Sequence, residues 1–220
     1  MYDAINPNIN NVSILSLTNM DQPVRDRPLF CPNCRNRRPD LPGSAKKWMC
    51  VLFNTKRAAG AAQPFLSDIN DARLEFAKSV LPDIITINPK SDNAGDVVRS
   101  LTEGKVGCDV AIECVGNEHV LQACLDAVRK QGVVVQTGLH PHENPLDWFQ
   151  VTFKDIDIRG SWAYPTHYWP RVIRLISSGL LPAKKIVTKK ITLDRAVSQG
   201  FDALLDPGGE QIKILIDLAG

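Results

Sequence analysis

The sequence has no apolar run approaching the ~20 residues that a membrane-spanning helix requires. Its first thirty residues also lack the basic segment followed by an apolar one that marks a secretory leader. Both absences point to a soluble chain in the cytoplasm with no membrane partner. There is no histidine before His119 and no G-x-G-x-x-G among the 14 glycines, which removes the commonest sign of a phosphate cradle. Charge of one sign is lacking too, with a net charge of only +2. That balance hides a basic front, since residues 1–57 hold nine Lys/Arg against four Asp/Glu. Arg35, Arg37 and Arg38 have no interleaved aromatic platform, so no nucleic-acid partner is expected. The six cysteines, Cys31, Cys34, Cys50, Cys108, Cys114 and Cys124, read as thiols, because nothing points to an oxidising compartment. What remains is 44% hydrophobic and 23% charged, the composition of an ordinary globular protein. A chain of 220 residues suffices for one core and an extension.

Order is unevenly distributed along the chain. From Met1 to about Cys50 no period of 2 or 3.6 is sustained, and six of the fifteen prolines fall there. Residues 1–55 read as an irregular or disordered extension, and residues 56–220 as the folded domain. After Asp68, short β-branched runs alternate with amphipathic segments, the pattern of βα units building a parallel sheet. Pro64–Ser67, Ile84–Ile87, Cys108–Ile112 and Val133–Val135 are predicted strands, and Ile156, Ile158 and Gly160 mark another. Helices are predicted from Asp71, from Asn93 to Leu101, from Asn117 to near Gly132, and from Tyr168 to Leu180. Towards the C-terminus come a strand at Ile186–Ile191, a helix over Leu193–Leu205 and a strand at Ile212–Ile216. The fold class is therefore α/β with a doubly wound parallel sheet, incomplete at its N-terminal edge. Val51-Leu52-Phe53 is the one candidate for a first strand.

A carboxylate ending the second strand of such a sheet can accept hydrogen bonds from the adenosine ribose of a dinucleotide. Asp68 stands where that carboxylate belongs, and its charge would repel the 2′-phosphate of NADP, which favours NAD. The alternative is that Asp68 only caps the following helix. A glycine-rich turn should precede it by roughly 20 residues, yet Lys47–Gly60 contains Gly60 alone.

Four pieces carry a family resemblance: Ser67-Asp68-Ile69-Asn70-Asp71-Ala72-Arg73-Leu74, Asp109-Val110-Ala111-Ile112-Glu113-Cys114-Val115-Gly116, Gly132-Val133-Val134-Val135-Gln136-Thr137-Gly138-Leu139, and Ile158-Arg159-Gly160-Ser161-Trp162-Ala163-Tyr164. In this order they resemble the Rossmann-like cofactor domain of the zinc-type medium-chain alcohol dehydrogenases, closest to the 2,3-butanediol and sorbitol dehydrogenase branch. The resemblance implies NAD-dependent oxidation of a secondary alcohol or diol. It implies that Asp68 and Arg73 contact the adenosine ribose, that the turn at Gly116 lets the cofactor approach backbone, and that Thr137, Gly138 and Leu139 line the nicotinamide. Trp162 and Tyr164 fall in the piece that follows in the same site, with Ala163 where the branch often has Arg. It further implies pairing of sheet edges across a homodimer.

The family's zinc needs three protein ligands and an open position, supplied there by a Cys, a His-Glu pair and often a further Glu. Nothing here matches them, so no catalytic residue and no metal ligand is assigned. Cys31-Pro-Asn-Cys34 is half of a zinc motif without its other half. His140, His142, Glu113 and Cys114 read as loop and strand-end residues. Trp148, Phe149, Trp162, Tyr164, Tyr168 and Trp169 frame a substrate pocket or serve as core and subunit contacts. Beside the dehydrogenase reading stands a second one: a non-catalytic remnant that binds nucleotide or acts as a subunit partner.

Overall fold

The computed structural model describes residues 13–15, 61–140, 143, 145–162, 166–206 and 210–218. Among the described residues, eight strands form two parallel sheets. In chain order the elements are β1 (Ser13–Leu15), β2 (Gln63–Ser67), α1 (Asp71–Val80), β3 (Ile85–Ile87), α2 (Ala94–Leu101), β4 (Cys108–Glu113), α3 (Glu118–Ala127), β5 (Val128–Gln136), α4 (Trp148–Phe153), β6 (Asp157–Gly160), α5 (Trp169–Ser177), β7 (Val187–Thr192), α6 (Asp202–Leu205) and β8 (Lys213–Asp217). The large sheet runs β3-β2-β1-β4-β5-β6, and β7 pairs with β8 apart from it.

Both faces of the large sheet are covered, and the strand sequences show why. On β4, Val110 and Ile112 join one apolar cluster with Leu66, Leu74, Ala77, Leu81 and Ile84. Ala111, between Val110 and Ile112, joins the other, with Phe65, Val98, Cys124, Leu125 and Val134, as does Cys108 on the far side of a register shift in the strand. Successive strand residues face opposite ways, so a strand buried on both sides reads as a continuous apolar run. Helix α1 covers the first face, while α2 and α3 cover the second. Each helix begins at an asparagine whose side chain accepts from the first turn: Asn70 from Arg73 N, Asn93 from Asp96 N, and Asn117 from His119 N.

Three expectations change. The first strand is neither absent nor at an edge. Ser13–Leu15 lies in the middle of the sheet, paired in parallel with β2 (Leu15 opposite Phe65) and with β4 (Leu15 opposite Ala111). Three residues are too few to show a period, which is why the irregular reading of residues 1–55 passed over them. Val51-Leu52-Phe53 lies outside the described residues.

The helix from Asn117 ends at Ala127, and Val128 is already strand, opposite Cys108. Val128 is buried as the first residue of β5.

The helix expected over Leu193–Leu205 is a short 3-10 turn (Leu193–Arg195), a π-helical stretch (Ala196–Phe201) and then α6. It lies on β7 through Gly200, where an added Cβ would stand 3.1 Å from Ile191 Cδ1. Its apolar residues Leu193, Val197, Phe201 and Leu205 stay exposed.

The final strand, β8, pairs in parallel with β7 from Val187–Lys213 to Thr192–Asp217. Ile186 and Ile212 anchor this second sheet in the first apolar cluster.

Candidate functional site

In a doubly wound sheet, ligands bind beyond the carboxyl ends of the strands, where the order of connection reverses. That point lies here between β1 and β4, and two clusters of side chains flank it.

The first cluster is at the end of β2. Asp68 N donates to Ile87 O at 3.2 Å, which fixes the residue at the edge of the sheet. One carboxylate oxygen of Asp68 accepts from Asn70 N at 2.8 Å, and the other lies 3.5 Å from Arg73 Nη1. Both side chains are nearly buried, with 7% of Asp68 and 10% of Arg73 exposed. Asn70, not Asp68, caps α1, so the capping alternative for Asp68 does not hold. Arg73 Nε is buried without a hydrogen-bond partner among the described residues. Such an unmet donor is costly unless something supplies an acceptor.

The second cluster joins the ends of β4 and β5. The Glu113 carbonyl accepts from Thr137 N at 2.9 Å, from Gly138 N at 3.0 Å and from Thr137 Oγ1 at 2.8 Å. The Glu113 carboxylate, fully buried, accepts from Val115 N at 2.7 Å, from Gly116 N at 2.8 Å and from Gln136 Nε2. His140 Nε2 stands 3.4 Å from the same carboxylate. Gly116 has φ +81°, and a Cβ on it would strike the Leu139 backbone. Glycine alone fits such a position without strain. The close approach at Gly116 is thus to the β5 turn itself. Leu139 is 45% exposed beside it.

Of the residues singled out in the sequence, Asp68 and Arg73 meet beyond the end of β2, and Gly116, Thr137, Gly138 and Leu139 meet beyond the ends of β4 and β5. Trp162 is exposed just beyond β6, whereas Tyr164 and His142 lie outside the described residues, as do Cys31, Cys34 and Cys50. Trp148, Phe149 and Trp169 are largely exposed, so they are not core residues. Cys108, Cys114 and Cys124 are buried and in no disulfide. Burial pushes the Cys124 thiol well above its ordinary pKa, and the nearby Glu113 carboxylate adds to that. Glu113 ends β4 and His140 lies in the loop after β5, as the sequence leads one to expect; the contact between them is not legible there. The available signal was an acid closing the apolar run Val110-Ala111-Ile112 of β4 just before the turn to Gly116.

Among the described residues, no three His, Cys, Asp or Glu side chains gather into a group able to hold a metal ion. Nor is any described helix long and apolar enough to cross a membrane.

The sheet order, the two-sided core and the acid ending the second strand define a class: a doubly wound α/β unit of the dinucleotide-binding type. Residues 50–178 match the family of zinc-binding dehydrogenases, and the chain belongs to that family. It is 31% identical over 177 residues to L-arabinitol 4-dehydrogenase of Aspergillus oryzae, a match covering 76% of this chain and 46% of that one. Human sorbitol dehydrogenase is 29% identical over 169 residues, again with 76% and 46% covered. The solved structure of 2R,3R-butanediol dehydrogenase from Bacillus subtilis superposes with a TM-score of 0.67 at 28% identity, over 76% of this chain and 46% of that one. Two further solved structures that share the fold, at 19% and 16% identity, contain NADP and NADH respectively. The chain therefore spans about half the length of the relatives it matches. The described residues offer no fit for the zinc that gives the family its name.

Proposed function

We propose that this chain is the nicotinamide-dinucleotide-binding part of an NAD-dependent dehydrogenase acting on a secondary alcohol or a diol such as a polyol or butanediol. The observation that carries the proposal is the Asp68–Arg73 pair at the carboxyl end of β2. A carboxylate there accepts from the two ribose hydroxyls and repels a 2′-phosphate. The buried Arg73 Nε, without an acceptor among the described residues, suits a ribose oxygen. Gly116, Thr137, Gly138 and Leu139 would hold the nicotinamide end, with Trp162 and Tyr164 beyond it. Bound NAD supplies the hydride acceptor, and the side chains of this chain bind and orient it.

The relatives' names supply the substrate class, since arabinitol, sorbitol and butanediol are all hydroxyl-rich. A homodimer through the exposed edge of β6, whose residues are mostly open to solvent, belongs to the same reading, as does a cytoplasmic, reducing setting for the buried thiols. A second reading, nucleotide binding without catalysis, is favoured by the lack of a metal-type cluster among the described residues.

Titrating the purified protein with NADH and with NADPH tests the proposal. Saturable NADH binding at least tenfold tighter than NADPH supports it, whereas equal binding or none opposes it. Oxidation of 2,3-butanediol or sorbitol with NAD and added zinc then separates the two readings.

A further inference from the structure

Glu113 is the most buried acid among the described residues, and every donor around its carboxylate belongs to one of two turns. Oε1 accepts Val115 N and Gly116 N, which lead out of β4. Oε2 accepts Gln136 Nε2, whose amide nitrogen also donates to Gly138 O at 2.9 Å, and it faces His140 Nε2 at 3.4 Å. Burying a carboxylate costs several kcal/mol unless hydrogen bonds replace its water. An acid here makes bonds that the apolar residues before it, Val110, Ala111 and Ile112, cannot.

What it does is visible in the packing of the turns. Val115 and Gly116 have left the ladder, so their N–H groups need an acceptor, and a single side-chain oxygen serves both. The other oxygen reaches across to the β5 turn. There Gly138 has no side chain for a physical reason: a Cβ on it would occupy the space of Gly116 N and of Glu113 Oε2. The two turns are pressed backbone to backbone, and the carboxylate is the pin between them.

We infer that Glu113 is the positioning residue of the nicotinamide end: its buried carboxylate locks the Val115–Gly116 turn to the Gln136–His140 turn, and so fixes the surface on which the nicotinamide half of the cofactor rests. The inference depends on the dinucleotide-binding reading above. It assigns Glu113 a role in binding one half of the ligand only, because in that reading Asp68 and Arg73 hold the other half from the end of β2 and the first turn of α1.

Glu113→Gln keeps the shape of the side chain. If its oxygen stays on Val115 N and Gly116 N, its amide nitrogen meets Gln136 Nε2 donor to donor. Rotating Gln136 to relieve this gives up the bond to Gly138 O. Gly138→Ala drives a Cβ into the same contact, against Gly116 N and Glu113 Oε2, and so pushes the two turns apart from the β5 side.

The experiment is calorimetric titration of the wild type and both variants with NADH and with ADP-ribose, which lacks the nicotinamide. For each variant we expect NADH affinity to fall about tenfold or more, the scale of a lost charge-assisted hydrogen bond, with ADP-ribose affinity held within about twofold. Retained ADP-ribose binding also shows that the variant has folded, and should one variant fail to fold, the other carries the test. Parallel losses for both ligands, or an unchanged NADH affinity, would overturn the inference while leaving the dinucleotide reading intact. If the wild type binds neither ligand, the dinucleotide reading fails and the inference falls with it.

Discussion

At the scale of single residues, burial decides which groups react and which recognise. Cys108, Cys114 and Cys124 are all buried, so alkylation of the native protein with iodoacetamide followed by peptide mass spectrometry should leave these three unlabelled until denaturant is added. Labelling of Cys124 at native-state rates would contradict the core packing.

The raised pKa of the Cys124 thiol also carries a sign. Its neutral form is favoured in the fold, so the unfolded thiol, with a pKa near 8.5, ionises first. The stability that this group contributes is present below about pH 8.5 and is lost as the pH rises beyond it. Wild-type urea midpoints should therefore fall more between pH 8 and pH 10 than those of Cys124→Ala, and identical slopes would refute this.

The same scale shows what could be read in advance. Asp68 was legible because it ends an apolar strand and precedes a helix, a position with a known use. The partnership of Glu113 with His140 was not, because it arises only where two strands of the sheet lie side by side.

Among the elements, α3 has the most telling end. No basic residue lies in its last turn, and its final carbonyls would be left without partners. Lys154, just after α4, donates through Nζ to Leu125 O at 2.7 Å, Asp126 O at 3.3 Å and Val128 O at 3.1 Å. Arg99 of α2 donates to Asp126 O as well. Desolvation lowers the Lys154 pKa, an effect that the nearby Asp126 partly offsets. Lys154→Met should keep the aliphatic stem while removing these bonds, costing about 1–3 kcal/mol in urea denaturation. A loss below a few tenths would mean that water caps the helix equally well.

Most elements were legible because each βα unit writes its own alternation of apolar runs and amphipathic stretches. The exceptions have local causes. Ser13–Leu15 is too short to carry a period and is separated from β2 by residues 16–62. The 193–205 segment has a helical stripe, but it packs through Gly200, so the stripe faces solvent.

On the scale of the whole molecule, that exposed stripe adds to a larger pattern. Leu193, Val197, Phe201 and Leu205 are uncovered, as are Ile173, Ile176 and Leu180 in and after α5, and Trp148, Phe149 and Phe153 on α4. Exposed apolar patches of this kind mark surfaces that associate. Sedimentation velocity should show mass increasing with concentration, and a monomer at every concentration would contradict this.

The sheet places the Asp68–Arg73 pair at the end of β2 and the Glu113 cluster at the ends of β4 and β5, and the proposed function has one extended ligand reach both. The central claim is that these clusters form a working dinucleotide site, and calorimetric titration of the wild type and Asp68→Ala with NADH tests it most directly. The expected result is saturable binding by the wild type, weakened about tenfold or more in Asp68→Ala as hydrogen bonds from the ribose to a charged acceptor are lost. Absence of binding by a folded wild type, or equal binding by the variant, would contradict the claim.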